Sequence, residues 1–223
     1  MNRYDFHTHS IFSDGALLPA ALVREAEVRG HSALAITDHV DASNIEEVIK
    51  ALTLFEKEMR GKLPIKFIPG VEISYIKPEY IPEYCKKAKK LGAKLIVVHG
   101  ESPVEPVYAG TNHISVQQKD LVDILAHPGN SLTEEDADLA AKNGVFLEIT
   151  SRRGHRDGNR HVADLARKTG AKLLVNTDSH SESDLLTYEQ ALEVAREAGL
   201  SDSEAKDALV DTPQQLIKRI ESR

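Results

Sequence analysis

The sequence predicts an α/β fold in which seven parallel strands close into a barrel. Three observations carry this. Short apolar runs alternate with helix-spaced segments seven times along the chain. Glycines stand where most of the helical segments should stop. Six of the ten histidines, with three carboxylates, fall where the apolar runs end. Parallel strands open their C-terminal ends on one face, where active sites are built. An open sheet focuses its site at one switch point, whereas here strands one to five and seven all contribute. A ring of strands brings those ends together.

The elements follow in order. Strand Arg3–Phe6 runs into His7-Thr8-His9 and the Asp14-Gly15 turn. Pro19–Arg29 has helical spacing and closes at Gly30. Ala33–Thr37 is short and apolar throughout, as befits a strand covered on both faces, and ends at Asp38-His39. Ser43 is placed to cap a helix through about Met59, whose inner stripe is Ile45, Val48, Ile49, Leu52 and Phe55. Strand Lys66–Val71 ends at Glu72 and leads to helix Ile81–Leu91. Strand Lys94–Val98 ends at His99, followed by a long loop, Gly100–His113, and a short helix near Ser115–Leu121. Strand Asp123–Ala126 ends at His127; Thr133 caps the next helix, to Lys142, with Glu135 and Asp136 favourably placed in its first turn. Strand Val145–Ile149 leads to helix Gly158–Lys168. Strand Lys172–Thr177 ends at Asp178-Ser179-His180 and leads to helix Tyr188–Ala198. A last helix, Ser203–Ile220, should break at Pro213.

Composition sets bounds. The 223 residues read as one domain, residues 1–223, with 41% hydrophobic and 28% charged residues, ordinary for a soluble globular chain. A net charge of −7 and 5% aromatic residues argue against a polynucleotide partner. Cys85 is the only cysteine, so an intrachain disulfide and a thiolate cage are excluded; it reads as a part-buried thiol on helix Ile81–Leu91. There is no signal-peptide core and no apolar run of about 18 residues, so a cytoplasmic protein without a membrane partner is expected.

A single histidine at a strand end is more often a hydrogen-bonded structural group than a ligand. The conjunction changes that reading. His7 and His9 share one face because the strand period is two, and Asp178 and His180 repeat the geometry on the last strand. With Asp14, His39, Glu72, His99 and His127 they form a nitrogen and oxygen donor set suited to Zn2+, Mn2+ or Fe2+. Asp38 reads either as a partner that orients a ligand or as a helix cap. The chain has no Gly-x-x-x-x-Gly-Lys loop, no Gly-x-Ser-x-Gly elbow and no cysteine nucleophile with a partnered base, which favours metal-activated water over covalent catalysis. Two ions about 3.5–4 Å apart can share a bridging hydroxide and lower its pKa towards neutrality.

Two further stretches bear on substrate. Ser151–His161 carries four arginines, of which Arg152, Arg153 or Arg156 could clamp a phosphate bidentately; Arg160 and His161 should lie on the next helix and face away. In the loop after His99, Glu101 and Tyr108 could contact substrate. His31 and His113 fit no motif and read as structural or surface groups.

The pattern His7-Thr8-His9-Ser10 with Ser13-Asp14-Gly15, then Thr37-Asp38-His39, Gly70-Val71-Glu72, Val98-His99-Gly100, Ala126-His127-Pro128 and Asp178-Ser179-His180 resembles the polymerase and histidinol phosphatase (PHP) family. The likeness spans essentially the whole chain and is nearest to short, stand-alone, histidinol-phosphatase-like members. It implies a distorted (β/α)7 TIM-like barrel, a trinuclear site at the C-terminal ends of the strands, and hydrolysis of phosphate esters. It also implies one ion on His7, His9, Glu72 and Asp178, a second on Glu72, His99 and His127, and a third on Asp14, His39 and His180. Glu72 and Asp178 would then serve catalysis together with a metal-bound hydroxide. The leading reading is a phosphatase for a small phosphorylated metabolite. The alternatives are a nucleotide or oligonucleotide phosphoesterase, and a non-catalytic metal-stabilised partner domain.

Overall fold

A computed structural model of the protein describes residues 2–223. Eight strands follow in chain order: β1 (Arg3–Asp5), β2 (His31–Ile36), β3 (His39–Val40), β4 (Lys66–Ile73), β5 (Leu95–His99), β6 (Ile124–Ala126), β7 (Phe146–Thr150) and β8 (Leu173–Asn176). Seven pair in the order β1-β2-β4-β5-β6-β7-β8, all parallel, while the two-residue β3 lies beside the end of β4. Helices fill the crossovers: α1 (Pro19–Val28), α2 (Ile45–Met59), α3 (Ile81–Leu91), α4 (Thr111–Val116), α5 (Glu134–Asn143) and α6 (Asn159–Thr169). After β8 come α7 (Tyr188–Glu197), α8 (Asp202–Lys206) and α9 (Thr212–Glu221). The seven-stranded barrel expected from the sequence is therefore present, nearly closed.

Its seam lies between β1 and β8, where side chains replace most of a strand ladder. Thr8 and Ser179 form one parallel bridge. Below it, Phe6 N–H donates to Asn176 Oδ1 at 3.0 Å and the Arg3 guanidinium donates to the Val175 carbonyl at 2.9 Å. Asp5 accepts from the Thr177 N–H at 3.2 Å and from its hydroxyl at 2.7 Å. Arg3 and Asp5 are fully buried and 3.1 Å apart. Burial pushes the Asp5 carboxyl up, but Arg3 and His31 outweigh it and hold it low.

Two apolar layers follow from strand alternation. Tyr4, Phe6, Ala33, Ala35, Ile68, Leu95, Val97, Ile124 and Leu174 fill the barrel, joined by Leu216 and Ile220 of α9. The opposite faces of the strands pack against α1–α7, with Leu34, Ile36, Val71, Ile96, Leu125 and Ile149 meeting Leu22, Leu52, Cys85 and Val162. Helix α9 thus stoppers the N-terminal end of the barrel. There Arg219 lies 4.6 Å from the Phe146 ring centroid and 2.9 Å from the buried Asp123.

Several details depart from the sequence reading. Ser43 does not cap α2: Asn44 occupies that position, and the Ser43 N–H and hydroxyl donate to Asp41 instead. The short helix after β5 starts at Thr111 rather than Ser115, because the Glu101 carboxylate accepts from the N–H groups of Gly110 and Asn112 and so nucleates the earlier turn. The last helix breaks before Pro213, which has no N–H to offer the Leu209 carbonyl; a wide π turn, Asp207–Asp211, absorbs the mismatch. Cys85 is fully rather than partly buried, and burial pushes its thiol up to about 12.

Two outcomes follow. Asp5→Ala leaves Arg3 buried without a counter-charge and should cost about 3–5 kcal/mol in urea unfolding; a loss below about 1 kcal/mol would mean the seam does not depend on this pair. Cys85 should ignore a thiol reagent at pH 8 in the folded protein and react once the chain is denatured.

Candidate metal centre

The C-terminal ends of the strands gather all nine candidate ligands. His7 and His9 extend from β1, His39 sits in β3, Glu72 lies within β4 and His99 ends β5. His127 follows β6, and Asp178 and His180 follow β8. Asp14 arrives on a tight turn organised by Asp38, which accepts from Ser10 N–H and hydroxyl, both at 2.7 Å, and from the Ser13 hydroxyl at 2.8 Å. Asp38 therefore shapes the Asp14 turn and does not cap a helix. Gly15 is required there, since a Cβ would stand 2.2 Å from the His9 carbonyl oxygen. His127 (φ 24°) and Asp178 (φ 52°) occupy the left-handed region, strain of a kind stored at functional sites.

The buried Glu72 carboxylate is the hub. His7 Nε2 lies 3.3 Å, His9 Nε2 3.6 Å, His39 Nδ1 2.7 Å and His127 Nε2 3.8 Å from its oxygens. Asp178 Oδ1 lies 3.0 Å from His9 Nε2, and Asp14 Oδ2 lies 3.1 Å from His180 Nε2. Four sets have donor atoms mutually within 4.8 Å: His9/Asp14/His39/His180, His7/His127/Asp178, His7/His9/Glu72 and Glu72/His99/His127. His9 thus stands with the Asp14 set as well as beside Glu72.

The charges are in conflict. Burial lowers His7, but Glu148, Glu72 and Asp178 overcome it and hold the imidazole well above its usual range. Burial, with the neighbouring His39, drives His9 well below, and burial with His99 drives His127 the same way. Burial pushes the Asp178 carboxyl up to about 7 although His7 opposes it. His7 Nε2, both nitrogens of His9, both oxygens of Glu72 and Asp178 Oδ1 are buried without a hydrogen-bond partner. Native interiors rarely leave such groups bare. Histidine nitrogens and carboxylate oxygens converging without protein partners are the donor set a transition-metal cation takes, so these residues fit such ions.

Substrate-side expectations are partly revised. Arg152 reaches the cluster, with Nε 3.4 Å from Asp178 Oδ2 and Nη1 donating to the Asp178 carbonyl at 3.2 Å. Arg153 and Arg156 are exposed and line a cleft of about 690 Å³ with Arg152, Thr177 and Gln190. Glu101 does not face the cluster: its carboxylate is taken by the loop's own backbone. Tyr108 is exposed, and Arg160 lies exposed on α6. His31 Nδ1 donates to the Ala26 carbonyl at 2.9 Å and His113 pairs with Asp136, both structural.

Four residues at the site escaped sequence reasoning. Glu148 lies 2.8 Å from His7 Nδ1 and also accepts from Asn176 at 2.9 Å, an orienting carboxylate behind an imidazole. Its signal was a lone acid inside the apolar strand Phe146–Thr150. His155 is buried with its ring 4.2 Å from that of His127, and the Tyr75 ring lies 5.6 Å from that of His99. Glu105 touches His99 Nε2. For these three, loop position masked the signal.

Comparison with known proteins agrees with this architecture. The PHP domain model matches residues 5–123. An uncharacterized protein of Methanocaldococcus jannaschii is 49% identical, covering 98% of this chain and 100% of that protein. A probable phosphatase of Thermoanaerobacter sp. is 28% identical over 89% of this chain and 87% of its own length, and ribonuclease P protein component 3 of Methanosarcina mazei is 28% identical over 97% and 89%. The fold matches the crystal structure of histidinol phosphate phosphatase from Lactococcus lactis, complexed with zinc, L-histidinol and phosphate, with a TM-score of 0.66 at 19% identity over 90% of this chain and 95% of that one. By the family match and this full-length likeness, the chain belongs to the PHP domain family.

Proposed function

We propose that the protein is a metal-dependent phosphoesterase that hydrolyses phosphate monoesters of small cytoplasmic metabolites. The observation that carries this is the set of bare, buried nitrogen and oxygen atoms around Glu72, with an arginine at its rim. The phosphatase names among the relatives support the same reading. His7, His9, Asp14, His39, Glu72, His99, His127, Asp178 and His180 would hold up to three Zn2+, Mn2+ or Fe2+ ions. Bound there, such ions would supply Lewis acidity towards water and offset charge on the phosphoryl oxygens.

The chain's own residues do the positioning. Glu148 takes His7 Nδ1, Gly100 O takes His99 Nδ1 and Asp178 O takes His180 Nδ1, so in each ring Nε2 is the nitrogen left for an ion. Glu72 and Asp178 bring the negative charge that makes the cavity attractive to cations. Arg152 offers a planar fork beside Asp178 for a phosphoryl oxygen, and it also lines the cleft that holds Arg153 and Arg156.

Likeness to ribonuclease P protein component 3 favours a second reading, a protein that works on or beside RNA. The net charge of −7 weighs against it, since phosphate-backbone binding draws on clustered lysine and arginine.

Chelation should abolish phosphate release from a panel of phosphorylated metabolites, and Mn2+ or Zn2+ should restore it. Metal analysis should find more than one equivalent per chain, and Glu72→Gln should lower that number and the rate together. At most one tightly bound ion, or an active Glu72→Gln protein, would contradict the reading. Arg152→Ala should keep its metal and lose about 1.5–3 kcal/mol of transition-state stabilisation, a fall in kcat/KM of roughly ten- to a hundredfold. Arg152→Lys should recover only part, lacking the fork. If alanine at 152, 153 and 156 each leaves kcat/KM within twofold, the arginines are surface charge.

A further inference from the structure

The Glu72/His99/His127 set has three protein donors, fewer than a closed four-coordinate site. Beside it stands a carboxylate that belongs to no strand. Glu105 sits on the loop after β5, and its Oε2 is buried against His99 Nε2. Because His99 Nδ1 lies 3.0 Å from the Gly100 carbonyl, Nε2 is the nitrogen an ion would use. Glu105 therefore stands against the nitrogen that ion would use, outside the four donor sets.

Its surroundings hold it there. The Tyr75 ring lies 5.6 Å from that of His99, and Tyr75 adopts φ 56°, a conformation disfavoured for a bulky residue. The loop is anchored at its base: Glu101 N–H donates to Asn112 Oδ1 at 3.0 Å, and Asn112 Nδ2 donates to the Pro128 carbonyl at 3.1 Å. At its tip Val104 lies so near Gly154, in the arginine loop, that a Cβ there would come within 3.2 Å of it. The loop thus meets His99 through Glu105 and the arginine loop through Val104.

We propose that Glu105 is a tenth ligand, carried on the loop, which binds the cation held by Glu72, His99 and His127 and closes residues 102–109 over the site as that cation loads. The inference rests on the metal reading above and adds to it a ligand that no strand supplies.

Cobalt(II) substitution tests it, because its visible bands report ligand number and type without turnover. Stripped wild-type protein and Glu105→Gln are titrated with Co2+, and hydrogen exchange is followed over residues 102–109. In Glu105→Gln one class of cobalt site should weaken ten- to a hundredfold, with altered visible bands. Cobalt should slow exchange in the loop of the wild type and not of the variant. Tyr75→Phe, which keeps the carboxylate, should keep the wild-type bands. If wild-type protein binds no cobalt, the metal reading itself falls. If wild type binds cobalt but Glu105→Gln binds it equally or more tightly, with unchanged bands, only the ligand role of Glu105 is overturned.

Discussion

Everything at the mouth of the barrel is arranged around one buried carboxylate. Glu72 has no exposed surface, and imidazole nitrogens of His7, His9, His39 and His127 lie 2.7 to 3.8 Å from it. A buried anion needs compensating charge. Protonated imidazoles supply it incompletely, because the same burial that traps Glu72 drives His9 and His127 towards neutrality. A cation between these groups resolves the conflict, since it favours ionised carboxylates and neutral imidazoles at once. The strain at His127 and Asp178 then has a use: both backbones turn sharply enough to aim side chains inward.

Closing the barrel is what makes that hub possible. Strand β1 must meet β8 for His7 and His9 to face Asp178, yet among the described residues one isolated bridge, Thr8 to Ser179, joins the chain just beyond them. Arg3, Asp5 and Thr177 fasten the seam with buried charge and hydrogen bonds, and α9 stoppers the far end with Leu216 and Ile220. Stability resides at the bottom and along the seam, chemistry at the top, as in barrels generally. Glu148 connects the two, an interior strand residue whose carboxylate orients His7 and accepts from the His127 N–H at 3.3 Å.

The periodic signals were readable in the sequence. Strand ends and helix stops follow from spacing and glycine, and His7-x-His9 and Asp178-x-His180 announce a shared face. What escaped was whatever depends on distant partners. The start of α4 moves because Glu101, ten residues away in the same loop, spends its carboxylate on backbone N–H groups, which also removes it from the substrate side. Glu148 looked like one odd residue in a strand until the barrel placed it behind His7. Glu105, His155 and Tyr75 lie in loops without periodicity, and only three-dimensional packing brings them to His99 and His127. Arg153 and Arg156 could not be told from Arg152 by composition; in the fold Arg152 is half-buried against Asp178 while the other two are exposed.

The most direct test of the account is a crystal structure of the Mn2+- or Zn2+-loaded protein with anomalous scattering measured at the metal edge. The account predicts separate anomalous peaks on either side of the Glu72 carboxylate, within about 2.0–2.2 Å of its oxygens and of histidine nitrogens from the nine residues. An intact barrel with no ordered ion at Glu72, or with metal only at surface sites, would contradict it.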